Sequence, residues 1–263
     1  REGSVMVGHA HGMMIPFFRG AGVAATEGLA GAYFLRIIPN ATNPNFQLTV
    51  TADLYVLLNT DDNTVVMRAS ATLTPDITAS GVNGLDTGSE AASTWYVIYA
   101  IWNGTTLASL LSTSGTAPTM PSGYTHRALL GWVFNNSGSN FQDFEQRDDW
   151  VMWVSRPKVG DDLAVTTVQT ITMSTGCPPS RVNRVRLKIF RNTSNEAVAV
   201  DGNSFTAPSG TAESLTLELP DSSIGGVGTA LNRIFEITIR VDQTVYGWAL
   251  NNGGGSFDVE VVG

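Results

Sequence analysis

A chain of 263 residues is long enough for one large β-sandwich core or two smaller ones. With 43% hydrophobic and 14% charged residues it is too apolar for a disordered chain, and a net charge of −8 argues against nucleic-acid binding through bulk electrostatics. The one cysteine, Cys177, excludes an intrachain disulfide and a cysteine metal cluster, and reads as a small buried hydrophobe.

No run of about 18 apolar residues occurs, so membrane insertion is not expected. The chain opens Arg1-Glu2-Gly3, without Met and without a signal-peptide pattern, which reads as a processed or partial chain. Abundant Gly and β-branched residues, with no sustained 3.6-residue periodicity, predict an all-β fold.

Residues 1–28 stand apart from the rest. Glycines punctuate short apolar runs such as Met13-Met14-Ile15-Pro16-Phe17-Phe18. Such a segment is expected to be an extended docking arm, packed on the domain, a neighbouring subunit or another protein. Within it lies Gly8-His9-Ala10-His11-Gly12. In an extended chain, residues i and i+2 point to one face, so His9 and His11 can act as paired ligands. On a threefold axis such pairs would converge on one ion, and imidazole suits iron, nickel, copper or zinc. The competing reading is two histidines that merely lie in a Gly-rich arm.

Leu29–Ile38 predicts a first strand, and Pro39–Asn45 a turn cluster. Phe46–Asn59 alternates as a half-buried strand, Thr60–Asn63 forms a hairpin loop, and Thr64–Leu73 returns antiparallel. Asp61 and Asp62 read as turn residues rather than calcium ligands, because no Asp-x-Asp-x-Asp-Gly pattern accompanies them.

The stretch Gly84–Asn136 organises the chain. Two apolar runs, Thr94–Trp102 and Ala128–Phe134, flank a short strand between Gly, Ser, Thr and Pro segments. Trp95, Tyr96, Tyr99 and Trp102 are expected in a core or interface. Asp86-Thr87-Gly88 and Pro121-Ser122-Gly123 read as turns.

After a turn at Asn135–Asn140 come two short strands, Phe141–Arg147 and Asp149–Ser155. They carry the densest acidic cluster: Asp143, Glu145, Asp148 and Asp149. Two carboxylates across a cleft can hydrolyse glycosides. A solvated loop or an Arg-paired contact fits this cluster better. Trp150 and Trp153 are three apart, so in a strand they face opposite sides and form no single platform.

Arg156–Asp162 is the best internal boundary, either a linker or a crossover between sheets. Leu163–Met173 follows as a strand, then a loop at Cys177-Pro178-Pro179-Ser180. Arg181–Arg191 alternates apolar and basic residues, with a bulge expected at Asn183-Arg184. Its positive stripe reads as an outer face balanced by nearby acids. Asn195–Val200, Ser214–Leu219, Ala230–Val241, Thr244–Asn251 and Ser256–Val262 complete the strands. This spacing fits an antiparallel β-sandwich or jelly roll over residues 29–263, with a sub-boundary near 156–162.

Several stretches carry a likeness to known proteins: Gly84-Leu85-Asp86-Thr87-Gly88, Ser93-Thr94-Trp95-Tyr96, Leu111-Ser112, Pro118, and Pro121-Ser122-Gly123-Tyr124 leading into Gly131. Upstream, Asn43-Pro44-Asn45 and Leu48–Asp53 belong to the same pattern, and Gln243–Gly263 to its last strands. This order resembles a β-sandwich domain in structural proteins of tailed bacteriophages, fibre or tail-tip proteins among them. The resemblance runs from about Leu29 to Gly263 and is densest in the middle.

It implies a non-enzymatic virion structural protein, a tail-fibre or tail-tip component able to contact the host surface. It also implies a homotrimer, with other virion proteins and a host surface glycan as partners. The alternatives are a capsid decoration (cement) or head-fibre protein, and a carbohydrate-binding or depolymerising domain. His9-Ala10-His11 looks like the His-X-His iron sites of some phage fibre tips, where the motif repeats; here it occurs once. No other cofactor and no catalytic residue is expected. His126 has no Gly-x-Ser-x-Gly elbow to serve, and no phosphate-cradling loop appears.

Overall fold

The computed structural model describes residues 30–164, 169–179, 184–191, 198–201, 223–225, 232–238, 244–249 and 256–263. The docking arm with His9 and His11, the strand at 214–219 and the Asn183 side of the expected bulge lie outside the described residues.

Among the described residues the chain forms strands and no helix. The first nine are β1 (Gly31–Tyr33), β2 (Arg36–Pro39), β3 (Leu48–Leu58), β4 (Val65–Leu73), β5 (Thr94–Trp102), β6 (Leu107–Ser112), β7 (His126–Asn135), β8 (Phe144–Arg147) and β9 (Trp150–Trp153). Then come β10 (Lys158–Ala164), β11 (Gln169–Thr172), β12 (Arg184–Arg191), β13 (Val198–Asp201), β14 (Ser223–Gly225), β15 (Asn232–Thr238), β16 (Thr244–Ala249) and β17 (Ser256–Val261).

Strands β1 to β9 form one nine-stranded antiparallel sheet along the path β6-β5-β7-β3-β2-β8-β9, with β1 and β4 also paired to β3. Strands β7 and β3 meet at a single pair, Leu58 with Arg127, so the two arms of the sheet are hinged there. The arms close on one core. Ile37, Leu48, Val50, Tyr55 and Leu57 from one arm pack with Tyr96, Ile98, Ala100, Leu130 and Val133 from the other. The result is an antiparallel β-sandwich.

Strand β5 is buried on both faces, which accounts for its unbroken apolar run. Tyr96, Ile98 and Ala100 enter the main core. Val97, Tyr99 and Ile101 enter a second cluster with Ala108 and Leu110, covered by Met120, Tyr124, Leu129 and Trp132.

Two expectations change. The strand expected over Leu29–Ile38 is broken at Phe34, whose φ is +54° and whose side chain is 75% exposed. Leu35 gives its N–H to Asp148 Oδ1 at 2.8 Å and its carbonyl accepts from Asp148 N at 2.9 Å. The segment Lys158–Asp162, within the expected boundary, is strand β10. It pairs with β17, a partner about a hundred residues later in the chain. The chain does change sheets between Trp153 and Lys158. Strands β10-β17-β12-β15 form one four-stranded sheet and β11-β16-β13-β14 another.

Candidate functional site

The place where β9 meets the later sheets is built by tryptophans. The Trp153 indole N–H donates to Gly176 O at 3.1 Å, and the Trp95 indole N–H donates to Ser174 O at 2.7 Å. The two rings meet edge to face, with centroids 6.0 Å apart. Indoles that bury an apolar body must place their N–H on an acceptor, and here both acceptors are carbonyls of the 174–177 turn. Trp153 N also donates to Val262 O, which ties β9 to the end of β17.

Beside this seam lies a cleft of about 460 Å³. Leu130, Trp132, Trp95 and Trp153 line it from the sandwich, and Cys177, Pro178 and Val185 from the later sheets. Gln146, Asp148, Asp149 and Trp150 supply its polar side and rim. Trp153 is 5% exposed and Trp150 40%, so they form no common platform, as their three-residue spacing requires. The Arg186 guanidinium sits over the Trp150 ring, 4.3 Å from its centroid.

Gln146 is 4% exposed and anchors the polar side. Across β5 and β7, Tyr99 pairs with Leu129 and Ile98 with Gly131, so Leu130 is an extra residue, a β-bulge. The Gln146 amide donates to the bulge carbonyl, Leu130 O, at 2.9 Å, and to Asp148 O at 2.7 Å. Its Oε1 is buried and has no hydrogen-bond partner. Asp148 closes the β8–β9 hairpin at φ +49°, a region that Asp tolerates better than most residues.

The acidic cluster is not one constellation. Glu145 holds Arg36 at 2.9 Å and Arg147 at 2.8 Å. The hydrogen bond from Arg36, helped by both positive charges, keeps its carboxyl below the usual range. Asp148 and Asp149 border the cleft, with Asp148 Oδ1 accepting from Leu35 N, and the Asp143 carbonyl accepts from Val154 N and Ser155 N. Among the described residues, no group of three or more His, Cys, Asp or Glu side chains is placed to hold a metal ion.

His126 lies between two hydroxyls, Thr125 Oγ1 at 2.9 Å and Thr64 Oγ1 at 3.1 Å. The Thr64 hydroxyl donates to Asp62 Oδ1 at 2.6 Å, so it accepts from His126 Nε2 and the string pins the hairpin to β7. Burial pushes the Cys177 thiol up to about 12, which leaves it protonated and unreactive. In the strand register, position 186 of β12 lies opposite position 236 and Lys188 opposite Glu260. Next to it, Lys158 pairs with Asp258 at 3.2 Å.

Sequence reasoning missed Gln146 and the contact of Trp95 with Trp153 of β9. One signal was available: Gly131 inside an apolar strand pattern marks a bulge or a close approach. No protein family, curated protein or solved structure matches this chain.

Proposed function

We propose that this chain is a non-enzymatic structural protein of a bacteriophage virion, a tail-fibre or tail-tip component that contacts the host surface. What carries the reading is the use of the residues in the phage-like pattern. Asp86 is the one carboxylate among the pattern's own residues from Gly84 to Gly131, and its oxygens are occupied by scaffold. Oδ1 accepts from Thr87 N at 2.8 Å; Oδ2 accepts from Ser112 Oγ at 2.7 Å and Thr119 N at 2.9 Å. Gly88 at φ +75° and Gly123 at φ +82° take turn conformations that favour glycine, and Tyr124 N closes the second turn on Pro121 O at 3.0 Å. Tyr96 OH accepts from Ala91 N at 2.8 Å. These residues hold a shape, which supports a structural role.

In this reading the subunits form a homotrimer, residues 1–28 dock it on other virion proteins, and His9 and His11 meet across the axis around a transition metal ion. Immunogold labelling of virions tests the location. Label at the tail tip is the expected result. Label on the capsid selects the decoration or head-fibre alternative, and particles without label sink both. Light scattering should give three times the chain mass. Elemental analysis should find a transition metal that is lost in a His9→Ala, His11→Ala variant.

A further inference from the structure

The outer face of the sheet at β1, β3 and β4 is apolar and uncovered. In β3, Tyr55 and Leu57 enter the core, so Leu54, Val56 and Leu58 point the other way. Residues directly opposite each other across a ladder share a face. Leu54 stands between Tyr33 of β1 and Ala69 of β4, Val56 between Gly31 and Met67, and Leu58 beside Val65. None of these residues is charged. Val56 and Leu58 are buried in the floor, but Tyr33 is 49% exposed, Val65 41% and Met67 63%. Single exposed apolar residues need no partner; a continuous row of them on three adjoining strands marks a contact surface. Strand β4 pairs with β3 alone, so among the described residues no further strand extends the sheet past it.

The size of this patch restricts what covers it. Two strand spacings make it about 10 Å wide, and the four steps from Leu54 to Leu58 make it about 14 Å long. A stable interface between globular subunits takes about 800 Å² from each, several times this area. One extended segment of about six residues, spanning about 20 Å, fits it. The chain supplies such a segment: Met13-Met14-Ile15-Pro16-Phe17-Phe18 is an unbroken apolar run. Ala30 leads straight into β1, and Gly31 lies opposite Val56, in the middle of the patch. Residues 19–29 reach at most about 36–40 Å, ample to turn back over a face this small. Gly20, Gly22 and Gly28 permit the reversal. A tether this short holds the run at an effective concentration in the millimolar range. Pro16 lacks an N–H, which suits a segment laid across a face better than one added to the β4 ladder.

We propose that residues 13–18 dock on the outer face of β1, β3 and β4 of their own chain, between Tyr33 and Met67. The inference does not rest on the virion reading. Within that reading it leaves residues 1–12, with His9 and His11, as the part that reaches other proteins.

Disulfide trapping in the full chain tests it. Met67→Cys is combined in turn with Met14→Cys, Ile15→Cys and Phe17→Cys, while the buried Cys177 stays out of the reaction. Val154→Cys, at a position as exposed as Met67 but past β9 at the end of the sheet, is the control partner. The expected result is a disulfide within one chain for at least one pairing with position 67, and none with position 154. It is read as a single-chain mass in denaturant, with the two peptides joined after digestion. A variant lacking residues 1–20 should bind more ANS, a dye for exposed apolar surface. No disulfide at position 67, equal trapping at position 154, or unchanged ANS binding in the shortened chain would each overturn the proposal. Disulfides formed only between chains would overturn it too, and assign the face to a neighbour's segment. Tail-tip label without trapping would sink the docking alone. Trapping in a chain absent from virions would sink the virion reading alone.

Discussion

Gln146 and Gly131 are fitted to each other: a Cβ at position 131 would lie 2.2 Å from Gln146 Oε1 and 2.9 Å from its Cδ. The amide cannot simply swing away, because its nitrogen holds Leu130 O and Asp148 O. Gly131→Ala should therefore displace the amide and break both bonds, destabilising the fold by about 1–3 kcal/mol. In a Gln146→Ala background the same change should cost less. Urea denaturation of the two single variants and the double variant measures this coupling; equal costs in both backgrounds would reject the fit.

Asp86 ties its own turn to the end of β6 at Ser112 and to the loop at Thr119, 26 and 33 residues later in the chain. Asp86→Ala should destabilise the fold by about 1.5–3 kcal/mol, the range for hydrogen bonds to a charged group. The loss should be local first. Hydrogen exchange in 113–121 should rise before exchange in β5. Uniform acceleration across the sandwich would show that Asp86 supports the whole core instead.

Acid should weaken the fold in a defined window. Burial raises the pKa of Asp76, but hydrogen bonds from the Gln47 side chain and from the Thr78 hydroxyl and N–H outweigh it, and the net shift is downward. Asp62 shifts the same way, through its bonds from Thr64. A carboxyl lowered in the folded state stabilises it above the unfolded value, near 3.9 for Asp, and this is lost as pH falls through the folded value. The urea midpoint should therefore drop below about pH 4. Asp76→Asn should lower the midpoint at pH 7 and flatten the acid limb; an unchanged limb would place the effect elsewhere.

Cys177 should be silent in the native protein. With its thiol pushed up to about 12 by burial, it carries almost no thiolate at pH 8. Labelling by a disulfide reagent at pH 8 should proceed at the rate of unfolding and become immediate in denaturant. Fast labelling of the folded chain would mean the turn at 174–177 opens independently.

Long elements and tight turns were legible in the residues themselves. Thr94–Trp102 matches β5, because a β-branched and aromatic run between Gly and Ser clusters has no good alternative to a strand. The hairpin at 60–63 was legible because Asp62 and Asn63 are turn residues by chemistry; Asp62 Oδ1 receives Thr64 N, and Asn63 takes φ +59°. The break at Phe34 was not legible. It accompanies hydrogen bonds between Leu35 and Asp148, a residue in a hairpin more than a hundred positions away. Lys158–Asp162 reads as a polar boundary on its own and becomes a strand only when β17 supplies its ladder.

The residue order by itself determined that the chain forms antiparallel strands, which of its turns need glycine or Asp, and that β5 is apolar on both sides. Those properties follow from a two-residue period and from local hydrogen bonds, so they are written in neighbouring positions. Only the tertiary structure decided that β7 carries a bulge at Leu130, that Gln146 holds it, and that Trp95, Trp132 and Trp150 border one cleft. Which strands lie side by side depends on pairings between distant segments. Each pairing is selected by the packing of the whole sheet, and a local pattern that suits many neighbours names none of them.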